Sequence, residues 1–155
     1  MEVYRSFSDE TDLFIKTTDI MFPDVNKKQI LIYDIDTTSF EAANGCIFLI
    51  GVMYYQDEQL KFTQFFSESI EEEAQIIEKF FDIAENYNIL LSYKGESFDI
   101  PFIGKRLYTL KQNALYSRFV FLRSRSVDIA NEIMSIKAAL GFSSTKLDYL
   151  RKKCG

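Results

Sequence analysis

Three aspartates carry the chemistry open to this sequence. Asp34 and Asp36 stand two positions apart in "ILIYDIDTTSF" (residues 30–40), and Asp99 lies in "SYKGESFDIPFI" (92–103). Successive side chains of a strand point to opposite faces, so positions 34 and 36 share one side. Two anions about 6–7 Å apart repel each other unless a cation lies between them. Oxygen-only carboxylate donors suit hard divalent ions such as Mg2+ or Mn2+. The plainer reading of the first pair is a polar loop in which Asp36 caps the following turn. The plainer reading of Asp99 is a helix cap.

The elements that must position these groups are legible around them. "QILIYD" (29–34) is a short apolar run of the kind that forms a buried central strand. "CIFLIGVMYY" (46–55), a turn at "QDEQ", and "LKFTQFF" (60–66) predict two more strands in a meander. "SESIEEEAQIIEKFFDIAENY" (67–87) predicts a helix capped by Ser67 or Ser69, with Ile70, Ala74, Ile77, Phe80, Phe81 and Ala84 on its apolar face. Its three consecutive glutamates match the helix dipole rather than a metal. "NILLSYK" (88–94) is a second buried strand; after an intervening helix it pairs parallel to the first. Both strands then open at the same carboxyl edge, where open α/β sheets bind ligands. Gly95 permits a tight turn there. Turn chemistry that continues as a helix within 96–111, a strand near 118–122, a helix after Asp128, a break at Gly141 and a short basic helix over 143–153 complete the reading. Asp128 reads as a helix cap and Asp148 as a solvent-facing residue. The expectation is an α/β fold with a mixed sheet of five strands, three in an antiparallel meander and the others parallel, flanked by helices. Residues 1–28 read as an arm or irregular lead-in docked by Phe14, Ile20, Met21 and Phe22, and residues 29–155 as one domain.

Composition narrows the function. The chain has 155 residues and no His, which excludes His-based triads and His-rich metal sites. Its two cysteines, Cys46 and Cys154, form neither a disulfide framework nor a zinc motif. No apolar run reaches membrane-spanning length, no signal peptide is visible, and a reducing cytoplasm is the default compartment. The net charge is −5, but it is unevenly spread. Residues 1–100 hold 7 Lys and Arg against 20 Asp and Glu; residues 101–155 hold 11 against 3. Such a split suits either a polyanionic partner or two halves that attract each other.

"YDIDTTSF", "NGCIFLIGVMYY", "EEEAQIIEKFF" and above all "LLSYKGESFDIPFIGKRL" resemble the DnaQ-like, or DEDD, 3′–5′ exonuclease superfamily with an RNase H-like fold, and within it the YprB-like branch. The resemblance runs from about Gln29 to Leu110 and continues more weakly to Gly155. It implies two Mg2+ or Mn2+ ions and hydrolysis of phosphodiester bonds at a single-stranded 3′ end of DNA or RNA. Asp34 would bridge both ions, Asp36 would hold the first and Asp99 the second. Thr37, Thr38, Tyr93, Lys94, Gly95 and Phe98 would border the terminal nucleotide, and Arg106 and the basic C-terminal third would hold phosphates. Asp36 stands where the family has Glu, and Lys94 where it has Asn. The family's fourth acid and its upstream His or Tyr base would lie beyond "STKLDYLRKKCG". The resemblance therefore leaves open a degenerate relative that binds without cutting, or a longer polypeptide.

Overall fold

The computed structural model describes residues 2–7, 24 and 26–154. Strand β2 (Ile30–Thr37) occupies the middle of a mixed sheet because it is apolar on both faces along its first half, with Ile30 and Leu31 fully buried. β3 (Ile47–Gln56) pairs antiparallel on one side of it, and β5 (Ile89–Ser92) pairs parallel on the other. β4 (Gln59–Phe66) returns antiparallel along β3. The β3–β4 turn has positive φ at Asp57 (53°) and Glu58 (60°), the pair of left-handed residues that a two-residue hairpin requires. Neither residue is glycine; Lys61 pairs with Asp57 and Lys28 with Glu58, which helps hold the turn.

The sheet has six strands in the order β1-β4-β3-β2-β5-β6. β1 (Glu2–Phe7) is an edge strand antiparallel to β4 within what the sequence suggests is a lead-in; Phe14, Ile20, Met21 and Phe22 lie outside the described residues. The expected strand near 118–122 is instead part of helix α3 (Asn113–Arg123). "RFVFL" has strand-like composition, but Leu115, Phe119 and Leu122 are buried at helical spacing and decide the outcome. The sixth strand follows it as β6 (Ser126–Asp128), parallel to β5.

Helices α1 (Glu73–Ala84), α2 (Asp99–Thr109) and α3 pack on one face of the sheet. Ile77, Phe80, Phe81 and Ala84 of α1 are buried as expected, and Tyr33 meets Phe80 at 5.2 Å between ring centroids. The start of the helix differs. Residues 70–72 form a 3-10 turn, which leaves Ile70 exposed and turns Glu73 and Ile76 inward. Ser69 sits at the cap position without a side-chain bond to the helix. Helices α4 (Ile129–Ile136) and α5 (Leu147–Cys154) follow β6, separated by a turn in which Gly141 has φ +68°. The strand alternation sends Leu31, Tyr33 and Ile35 of β2 into the helix-covered core, and Ile30 into a smaller cluster with Tyr55, Leu60 and Leu91. Asp34 and Asp36, two and four residues beyond Ile32, emerge exposed on that second face.

Candidate active site at the carboxyl edge

β5 stops at Ser92, one residue after its last pair with β2. The outer half of β2 therefore runs past the end of its parallel neighbour. Its Ile35 N–H takes another acceptor, donating to Asp99 Oδ1 at 3.1 Å. This bond brings a carboxylate from the start of α2 to the backbone between Asp34 and Asp36. Asp99 is 3 % exposed. Burial first, and the charge of Asp34 second, push its carboxyl up to about 6, with Asp128 adding to the rise. Asp34 is also raised, by desolvation and then by Asp36. Asp99 thus reaches the backbone of the strand segment that bears Asp34 and Asp36.

The turn between β5 and α2 aims Asp99. Lys94 takes a left-handed φ of 63°, and its carbonyl accepts from the N–H groups of Ser97 and Phe98. A Cβ on Gly95 would lie 2.1 Å from Ser92 Oγ and 3.4 Å from Asp99 Oδ2, so no other residue fits without displacing Ser92. Asp128 holds the turn from below: Oδ1 accepts from Lys94 N at 2.8 Å and Oδ2 from Glu96 N at 3.2 Å. It also caps α4 as expected, accepting from Ala130 N at 2.9 Å. The clamp on the turn was not foreseeable from its cap-like sequence context.

The remaining candidates are placed as follows. Phe98 packs on Phe102 and meets the 92 % exposed Phe40 edge-on at 6.2 Å. The Lys94 side chain is exposed. The Tyr93 hydroxyl is buried, and burial raises its pKa while the nearby Thr145 side chain opposes the rise. Thr37 Oγ1 donates to Ser39 O, and Thr38 Oγ1 accepts from Cys46 N, so both hydroxyls close their own loop. Arg106 is not at the surface. It is 4 % exposed, with Nε and Nη2 on the two oxygens of Glu73 at 2.8 and 2.6 Å and Nη1 on Ala42 O. Its charge is committed to an internal pair rather than to phosphate. Glu73, fully buried, also accepts from Ile47 N at 2.8 Å, so the third glutamate of the run is an interior anchor rather than a dipole-matching surface acid. The charge asymmetry is in part internal attraction: Arg106 reaches Glu73, and Arg118 reaches both Asp82 and Glu85.

A mixed α/β sheet with carboxylates at the carboxyl end of its central strand is the RNase H-like arrangement. The chain belongs to the RNase_H superfamily, whose description matches residues 31–155. It is also similar to the family B DNA polymerase from the hyperthermophilic archaeon Pyrobaculum calidifontis, at 18% identity and a TM-score of 0.45, over 53% of this chain and 11% of that one. No curated protein matches it. Among the described residues, no helix is long and apolar enough to cross a membrane.

The donor chemistry fits a hard divalent cation. The carboxylates are oxygen donors, and Asp34 and Asp99 are both raised by burial first and by a neighbouring carboxylate second, the latter a repulsion that a cation removes. In the conformation described, Asp99 is turned to the Ile35 amide, and no group of three acidic or Cys side chains among the described residues is gathered around one point.

Proposed function

We propose that the chain is a divalent-metal-dependent 3′–5′ exonuclease of the DEDD, YprB-like kind, hydrolysing phosphodiester bonds of DNA or RNA, with residues 29–155 as its catalytic domain and the reducing cytoplasm as its compartment. The observation that carries the reading is the convergence of Asp99 on the strand segment bearing Asp34 and Asp36. Asp34, Asp36 and Asp99 would hold two Mg2+ or Mn2+ ions. When bound, such ions activate a water and take up charge on the leaving oxygen. The protein's own contribution is to fix the carboxylates: Gly95 lets the turn approach, Asp128 ties its backbone, and Ile35 N–H orients Asp99. Phe98 and Phe40 offer ring faces for a terminal base beside the acids, and the Lys94 ammonium a partner for its phosphate.

The test is incubation with a labelled single-stranded oligonucleotide and Mn2+. Stepwise shortening from the 3′ end by the wild type, and none by Asp34→Ala with an unchanged thermal midpoint, is the expected result. Equal degradation by both proteins overturns the reading. A second reading, binding without cutting, is favoured by the absence of a three-carboxylate group among the described residues. Retention of the oligonucleotide without shortening would select it.

A further inference from the structure

We infer that the groove between α2 and α3 is a binding site for unpaired nucleotides of the same strand, upstream of the end that reaches the carboxylates; this rests on the nuclease reading above. The groove encloses about 350 Å3. Gly104 makes it possible, since a Cβ there would lie 2.9 Å from the Phe119 ring, and its absence lets the two helices close. Phe119 forms part of the floor. Tyr108 from α2 and Tyr116 from α3 stand at the sides, 81 % and 42 % exposed. The two charged residues lining it are cations, Lys105 and Arg123.

The charge argument is specific. Of the α2 and α3 arginines, Arg106 is locked on Glu73 and Arg118 on Asp82 and Glu85. Neither Lys105 nor Arg123 has an ion pair among the described residues, in a chain whose net charge is negative. An apolar peptide laid in this groove would desolvate both cations without a counter-charge. A nucleotide supplies a flat ring for the tyrosines and a phosphate for the cations. That combination is how single strands are held without reading their sequence.

The groove adjoins the turn that carries Asp99, while Asp34 and Asp36 line a separate cleft on the other face of the sheet. Pro101 and Lys105 line both this groove and a second cleft of about 500 Å3 whose other wall includes Phe40 and Phe98. Lys105 and Tyr108 lie six and nine residues beyond Asp99 on α2, about 9 and 14 Å along the helix axis. A strand whose end lies at Asp99 would pass the neighbouring Phe98 and Phe40 rings and, through the cleft shared at Pro101 and Lys105, reach the groove.

Binding is measured by fluorescence anisotropy in EDTA, so that no strand is cut, with a single strand of about ten nucleotides, within the range of single-strand site sizes. Tyr108→Ala/Tyr116→Ala should weaken binding about tenfold or more. Lys105→Gln/Arg123→Gln should lower the slope of log affinity against log salt by about 0.7 for each cation removed. In both variants the affinity advantage of the long strand over a dinucleotide should shrink. All four side chains are exposed or border solvent, and an unchanged thermal midpoint verifies the fold. Wild-type affinity in both variants overturns the groove, as does equal or tighter binding of a duplex of the same length. If the variants lose affinity while Mn2+ produces no cleavage, the groove stands and the nuclease reading falls; if cleavage depends on Asp34 but both variants bind like the wild type, the groove alone falls.

Discussion

Asp99 sits where its charge is least welcome, buried and beside Asp34, with the backbone N–H groups of Ile35 and of Asp99 itself opposing the rise in its pKa. An acid raised from 3.8 to about 6 binds more protons folded than unfolded between those values. Stability from this group is therefore present at low pH and falls as pH rises through that window. In metal-free buffer at pH 7, Asp99→Asn should stabilise the fold by about 1–3 kcal/mol, since Asn retains an acceptor for Ile35 and loses the charge. At pH 4 the two proteins should unfold at closely similar denaturant concentrations. Protons and cations then compete for the same oxygens. The rise in thermal midpoint produced by Mn2+ in the wild type should shrink as pH drops below about 6. Lys94 carries a separate cost, because its left-handed φ suits Gly or Asn better. Lys94→Asn should gain about 1 kcal/mol in urea denaturation. That Asp34 and Asp36 share one face of the strand was legible in their spacing. That Asp99 would bond the amide between the other two was not, because the partners are 64 residues apart.

At the scale of elements, the Glu73–Arg106 pair ties α1 to α2, and through Ile47 N and Ala42 O it reaches the loop and strand β3. Arg106→Met strands a buried carboxylate and should cost about 3–5 kcal/mol in urea denaturation. Glu73→Gln/Arg106→Met keeps an acceptor for Ile47 and removes the orphaned charge, so it should recover more than half of that loss. In sequence both residues resemble surface charges, one in a glutamate run and one in a basic helix, and only the fold brings them together across 33 positions. Local signals served better where an element decides its own form. The hairpin at Asp57–Glu58, the parallel β2–β5 pair and the start of α2 all appear where pattern and turn chemistry put them. The exception is α3, whose aromatic and β-branched composition outweighs its helical spacing in a short window.

For the molecule as a whole, the order β1-β4-β3-β2-β5-β6 places β2 between an antiparallel and a parallel neighbour of unequal length. The shorter β5 leaves the outer half of β2 open to α2, which lets Asp99 reach the strand segment of Asp34 and Asp36 at the end of the sheet. Strand order of this kind was partly legible, since a strand–helix–strand unit demands a parallel return. The edge position of β1 was not, for its residues carry no pattern that separates them from a polar arm. The uneven charge along the chain likewise has a global outcome. Arg106 neutralises Glu73 inside the fold, Arg118 pairs with Asp82 and Glu85 at the surface, and Lys105 and Arg123 are left facing outward.

Asp128 receives amides from three places at once, at Lys94, Glu96 and Ala130. These contacts share a single side chain, so the turn and the first turn of α4 should open as one cooperative unit rather than fray separately. Native-state hydrogen exchange should find the amides of Lys94, Glu96 and Ala130 with a common opening free energy, and Asp128→Ala should collapse the protection of all three together while the amides of β3 keep theirs.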